Sequence, residues 1–244
     1  MRNIITTILF VALLTPAAPL SAQTAPLPRM RDVFAQMPDS LLPAVTKNNR
    51  LDCIDFIENG LEAKVRNAFD DYVALEALTA DYARFRTSAV AVLELKLLPL
   101  TDSTQVLCAV TTVECGEAGS PTRIEDSSLR FFGADWTSLG SDYSDYSDYS
   151  DSSESSPTAA ITRAVADLDF FTDDAVPDSL RFSYDQAKAS ARDFHPVRMS
   201  LSSDDASLTL TLQTGQMAVD EKRALNGRLR PVRLLWDGRR FVRK

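Results

Sequence analysis

Histidine occurs once in these 244 residues, cysteine three times and glycine eight times, and each scarcity closes off a chemistry. Zinc sites built on several imidazoles or thiolates need more ligands than this, and no C-x-x-C pair exists. A Ser-His-Asp or Cys-His nucleophile would have to use His195, and no Gly-x-Ser-x-Gly elbow is present. Because Pro196 follows it and holds the backbone extended, His195 reads as a surface or capping residue. The glycines show neither a P-loop nor a dinucleotide spacing, so no cofactor is expected. An excess of positive charge is missing too: the formal net charge of −8 argues against a general nucleic-acid binder.

What remains is an ordinary globular composition, 45% apolar and 25% charged, long enough for one large domain or two small ones. Residues 1–22 read as a secretory signal. Arg2 supplies the positive start, Ile4 to Leu14 the apolar core, and Ala22 the small residue before a cut. The run is short for a bilayer span and is interrupted by Pro16 and Pro19. No other long apolar run follows, so the expectation is an exported chain, periplasmic or extracellular, that does not span the membrane after cleavage near Ala22. An odd number of cysteines in such a chain is unusual. Cys53 falls in a helical pattern and Cys108 in an apolar strand, which suits buried free thiols, although a bridge involving Cys53, Cys108 or Cys115 stays open. Cys108 and Cys115, seven apart, would face opposite sides of one strand.

The pattern from Arg31 to about Phe69 reads as helical. Asp39-Ser40 after Pro38 suits a short helix, Lys47 to Asn59 a longer one stopped by Gly60, and Leu61 to Phe69 the start of a third. In the longer helix Leu51, Ile54 and Ile57 form the expected apolar side and Asp52, Asp55 and Glu58 the polar one. The texture changes near Asp81. Ala83 to Thr87 alternates, and in VAVLELKLL (Val90 to Leu98) Leu93, Leu95 and Leu97 oppose Glu94 and Lys96, as in a half-buried strand. VLCAVTTV (Val106 to Val113) reads as a central strand and Leu129 to Trp136 as another. Residues 141–156, SDYSDYSDYSDSSESS, cannot bury a core and read as a disordered acidic linker; they lack the turn glycine and ligand spacing of a calcium loop. Beyond it, Ala159 to Phe171 reads as helix, Asp178 to Phe194 as mixed, and Val219 to Asn226 as a helix stopped by Gly227. Val197 to Leu201 and Leu208 to Leu212 alternate as strands, and Leu229 to Val242 forms a hairpin about Asp237-Gly238. Cys108, Val110, Thr112 and Trp136 echo Leu208, Leu210, Leu212 and Trp236 at an offset of one hundred, which suggests related halves.

Charge is distributed unevenly. Nine of the twenty-three residues from Lys222 to Lys244 are basic and only Asp237 is acidic, whereas residues 23–221 carry a large acidic excess. Arg228, Arg230, Arg233, Arg239, Arg240, Arg243 and Lys244 are therefore candidates to grip a polyanion, a glycan or a lipid head group; the competing reading is that they neutralise the acidic body. Paired acids (Asp52/Asp55/Glu58, Asp70/Asp71, Asp173/Asp174, Asp204/Asp205) meet the residue-type need of a hydrolase that forms a carboxylate pair in space.

MPDSLLPAVTKNNRLDCIDFIENG (Met37–Gly60), LKLLPL (Leu95–Leu100), VLCAVTTV (Val106–Val113), LRFFGADWTSL (Leu129–Leu139) and the closing WDGRRFV (Trp236–Val242) together resemble a secreted Bacteroidales family classed only as a domain of unknown function. The resemblance implies export and a shared architecture, but no activity, ligand or catalytic residue. It also makes Asp39-Ser40-Leu41, Asp102-Ser103-Thr104 and Asp178-Ser179-Leu180 similar to the O-glycosylation sequons of that group's exported proteins, with Ser40, Ser103 and Ser179 as acceptors.

The expected fold is α+β, an N-terminal helical segment packed on largely antiparallel sheet. Its expected parts are a signal (1–22), helices plus a first β-meander (23–140), the linker (141–156) and a second α+β half ending in the Trp-Asp-Gly hairpin (157–244). The expected role is an exported non-enzymatic protein that binds an envelope component or a small ligand; the alternatives are the carboxylate-pair hydrolase and the polyanion binder.

Overall fold

The computed structural model describes residues 26–116, 120, 122–139, 167, 170–172, 176–193 and 196–243. The signal, the 141–156 tract, Asp173/Asp174, His195, Lys244 and most of the helix expected over 159–171 lie outside them. The fold is α+β, with a six-stranded and a four-stranded sheet, both antiparallel throughout.

The first sheet is a meander in chain order: β1 (Lys64–Arg66), β2 (Tyr72–Leu78), β3 (Tyr82–Arg86), β4 (Ala91–Pro99), β5 (Gln105–Cys115) and β6 (Ile124–Gly133). Two of these strands correct the sequence reading. The expected third helix over 61–69 is instead β1 and a turn, and β2 begins well before the change of texture near Asp81. The turn chemistry overrides the local helical pattern. Asn67 Oδ1 accepts the N–H groups of Phe69 and Asp71, and Asp70 sits at φ 64°, which folds the chain back into a hairpin.

One face of this sheet carries the N-terminal helices, α1 (Met30–Ala35) and α2 (Lys47–Glu58), joined by a 3-10 turn over Asp39–Leu41. The Thr46 hydroxyl accepts from the Asn49 N–H, while the Asn49 side chain accepts from the Thr46 N–H, a reciprocal cap that starts α2. Gly60 at φ 71° takes the left-handed conformation that ends it. Of the expected apolar side of α2, Ile54 is buried and Ile57 packs partly buried on the core, but Leu51 is exposed; Arg50 and Cys53 complete the buried side. Arg50 is inside because its guanidinium ties the preceding loop, donating to the carbonyls of Val45 (2.8 Å) and Met37 and pairing with Asp39 (2.9 Å). Met30, Phe34, Cys53 and Ile54 pack on Phe85, Leu93, Leu95, Leu97 and Leu107, and Trp136 closes this core by donating its indole N–H to the Val33 carbonyl at 2.8 Å.

The opposite face carries the second half. It comprises α3 (Asp178–Asp193), β7 (Val197–Leu201), β8 (Ser207–Leu212), α4 (Val219–Leu225), β9 (Val232–Trp236) and β10 (Phe241–Arg243), with sheet order β10-β9-β8-β7. The stretch read as mixed is the sixteen-residue α3; its buried Tyr184, Ala187 and Ala191 follow a helical spacing. Val197, Met199, Leu201, Leu208, Leu210, Val232 and Leu234 share the inner face of this sheet. They form one core with Leu98, Val106, Cys108, Val110, Leu129 and Phe131 of the first sheet. At the far end Trp236 stacks on Phe131 with centroids 5.9 Å apart, and its indole N–H reaches the Pro99 carbonyl at 2.6 Å. Gly238 (φ 99°) makes the β9–β10 hairpin turn as expected; a Cβ there would also strike Thr101.

Two consequences follow for the sequence reading. β4 is buried on both faces, not half-buried: Glu94 and Lys96 are covered by the second sheet. The hundred-residue echo aligns β5 with β8 but not their partners, because Cys108 pairs with Phe131 whereas Leu208 pairs with Leu234.

All three cysteines are free. Burial pushes the Cys53 thiol up to about 11 and raises Cys108 further still, while Cys115 is exposed. A thiol-disulfide reagent at pH 8 is expected to label Cys115 alone in the folded chain, and all three cysteines once the chain is unfolded in urea; mass spectrometry of the labelled peptides reads the sites.

Candidate functional site

Polar groups converge where β7 stands against the first sheet. As an edge strand, β7 presents unpaired N–H groups on the side away from β8, and these must find acceptors once buried. Ser127 Oγ on β6 accepts the Met199 N–H at 2.9 Å, and Glu94 Oε2 on β4 accepts the Leu201 N–H at 3.3 Å. Glu94 is 3% exposed and fully engaged. Its Oε1 accepts from the Tyr82 hydroxyl (2.8 Å), Arg84 Nη1 (2.9 Å) and, at longer range, the Ser200 hydroxyl (3.4 Å). Burial, with the Glu94 carboxylate beside it, raises the Tyr82 hydroxyl far above its ordinary value, so this group stays a donor. Beside it the buried Lys96 ammonium reaches Asp81 (2.9 Å) and the Ser203 carbonyl (3.1 Å), tying β4 to the turn after β7.

Arg84 also bonds Glu76 (2.8 Å), which takes a second guanidinium from Arg86 (2.6 Å). Glu76 and Glu94 are thus joined through a shared arginine. Burial favours the neutral form of Glu76, but the hydrogen bonds from Arg86 and Arg84 outweigh it and hold the carboxyl below its ordinary value. A glycosidase-type pair needs one acid whose affinity for its proton is raised, and Glu76 is shifted the other way. The arrangement fits an ion-paired joint. The acids singled out by sequence do not converge on it. Asp52, Asp55 and Glu58 lie exposed on α2, Asp70 and Asp71 in the β1–β2 turn, and Asp204 and Asp205 in the β7–β8 turn. Among the described residues no group of three or more His, Cys, Asp or Glu is placed to hold a metal ion, and no described helix is long and apolar enough to cross a membrane.

Among the described residues, one concave feature lies on the outer face of the second sheet. A shallow, open depression of about 270 Å³ is lined by Arg198, Ser200, Leu201, Ser202, Thr209 and Thr211. Strand register explains the lining. Arg198 is opposite Thr211, and Ser200, Thr209 and Arg233 run across three strands, all pointing away from the core that holds Met199, Leu210 and Val232. Glu125 pairs with Arg198 at 3.3 Å, and Asp205 pairs with Arg233. Alternation in the sequence identifies this face as polar. Its concavity and the role of Arg198 come only from the packing of β7.

The described basic residues of the C-terminal segment are spread over several elements. Arg228 is partly buried and donates to the Ala224 and Asn226 carbonyls at the end of α4; Arg230 precedes β9 and is exposed. Arg233 is on the outer face of β9, Arg239 and Arg240 are at the β9–β10 turn, and Arg243 ends β10. The three serines of the expected sequons are all exposed: Ser40 in the 3-10 turn, Ser103 at φ 66° between β4 and β5, and Ser179 in the first turn of α3.

A family model described as "Protein of unknown function (DUF3256)" matches residues 22–241. The solved structure of a domain of an uncharacterized protein from Porphyromonas gingivalis W83 is similar in fold. It has a TM-score of 0.61 and 24% identity, over 89% of this chain and 98% of that one. No curated protein matches.

Two outcomes are expected of the joint. Glu94→Leu leaves Tyr82 and the Leu201 N–H without their acceptor and Arg84 with Glu76 alone, and is expected to lower stability by about 3 kcal/mol, read as a lower urea midpoint; Glu94→Gln, which keeps an acceptor, is expected to lose less. Because the Glu76 carboxyl is depressed in the fold, its contribution is complete above the unfolded carboxyl value of about 4.3 and disappears as pH falls through the lower folded value. The urea midpoint of wild type is therefore expected to fall more steeply below pH 4.3 than that of Glu76→Gln.

Proposed function

The chain belongs to the DUF3256 family, and we propose that it is an exported, non-enzymatic protein that binds an envelope component or a small ligand on the outer face of its second sheet. The observation that carries this reading is the depression lined by Arg198, Ser200, Leu201, Ser202, Thr209 and Thr211, a shallow and largely polar surface beside the ion-paired joint. Arginine contacts neutralise Glu76 and Glu94, which counts against the hydrolase reading. Arg228 and Arg233 are engaged within the fold, by helix-terminal carbonyls and by Asp205, which favours internal neutralisation over a polyanion grip. Export rests on the signal pattern of residues 1–22 with cleavage near Ala22, next to which the family match begins. Exposure of Ser40, Ser103 and Ser179 is compatible with their glycosylation.

Two experiments test the proposal. The chain is expressed in a bacterium of the order that the resemblance indicates, recovered from the envelope fraction, and compared with a Thr209→Lys/Thr211→Lys variant. Material is expected to co-purify with wild type and to be lost with the variant; an equal yield from both would remove the outer face from consideration. Intact mass of the same sample is expected to correspond to a chain starting at Gln23 with added glycan at the three serines. A bare-chain mass would rule out the modification, and a retained leader would rule out cleavage.

A further inference from the structure

Resting on the reading of the outer face as a recognition surface, we infer that its ligand is a neutral polyhydroxylated one, a short stretch of glycan chain. The charges at the rim cancel: Arg198 is held by Glu125 and Arg233 by Asp205, so the surface carries fixed donors and acceptors with little net field. A polyanion would meet those carboxylates as well as the guanidinium groups, so the face has no excess of positive charge to hold it. A peptide strand would need a free sheet edge, but at this depression the Met199 and Leu201 N–H groups of the edge strand β7 are already given to Ser127 and Glu94. What the floor offers is side-chain hydroxyls. Those of Thr209 and Thr211 hydrogen-bond to no described residue, whereas Ser202 Oγ is occupied by the N–H groups of Asp204 and Asp205. A hydroxyl both donates and accepts, and a surface that alternates hydroxyls with guanidinium donors and carboxylate acceptors matches a ligand whose every group does the same. The lining has no aromatic ring, so a sugar would be held by its hydroxyl edge, not stacked on its face. With hydrogen bonds alone against an open surface, affinity is weak for one short segment and is raised when several chains are immobilised together.

The test places the chain from Gln23 to Lys244 on an array of immobilised neutral gluco-, manno- and N-acetylglucosamine oligosaccharides, with sulfated and uronate-containing oligosaccharides alongside. Binding to neutral members is expected, nearly unchanged between about 50 and 500 mM salt because no ion pair is screened. Thr209→Val/Thr211→Val is expected to reduce it about tenfold or more. Valine keeps the β-branched shape on an outward strand face, so the variant should fold, and its circular dichroism and urea midpoint check this. Absence of binding to any neutral oligosaccharide overturns the inference. Binding confined to sulfated or uronate members and falling with salt also overturns it. If that charged binding is lost in the double variant, the outer face stands as the recognition surface and only the ligand class is wrong. If glycan binding survives the double variant undiminished, the face itself is wrong.

Discussion

The second half of the molecule is held to the first by backbone hydrogen bonds that end on side chains. β7 is the edge of its sheet, and its inward-pointing N–H groups are buried against the first sheet, where no strand pairs with them. Ser127 and Glu94 are the acceptors. An unsatisfied buried N–H costs about 1–3 kcal/mol, so two such contacts decide where the edge can sit. Glu94, charged and buried, requires Arg84 and Tyr82 in turn, and Arg84 brings Glu76 and Arg86. The polar network is a consequence of placing an edge strand on a sheet face.

That constraint organises the rest. With β7 fixed, Met199, Leu201, Leu208 and Leu210 close over Val106, Cys108 and Val110, and Trp236 reaches Phe131 and Pro99. The first sheet becomes a central layer, with α1 and α2 on one face and the second sheet on the other. It also turns the hydroxyl-bearing side of β7 and β8 outward as a depression, the surface on which the proposed recognition rests. The same joint occupies the buried carboxylates of Glu94 and Glu76, so these charged groups serve the contact between the two halves.

Much of the fold was legible along the chain because its signals are local. The Lys47 start and Gly60 stop of α2, the alternation of β3, β7 and β8, and the Asp237-Gly238 turn each depend on neighbours within a few residues. Where the reading failed, a distant partner or a single turn had overruled the local pattern. Leu61 to Phe69 carries a helical spacing, but Asn67 and Asp70 bend it into a hairpin. Arg50 looks like a surface residue of α2 until the carbonyls of Met37 and Val45 are brought beneath it. Arg198 could not be selected, since its position at the rim depends on the register of β7 with β8.

Periodicity and turn residues act over one or two turns of chain, and they sufficed for the α+β class, the helices before the sheet, and the apolar faces of β7 and β8. The sequence left open what Glu94 and Lys96 face. Alternation assigns them to the opposite side of β4 from Leu93, Leu95 and Leu97, but whether that side meets water or protein depends on a strand about a hundred residues away. The packing of β7 on the first sheet settles it, because the acceptors for an edge strand are chosen in space, not by position along the chain.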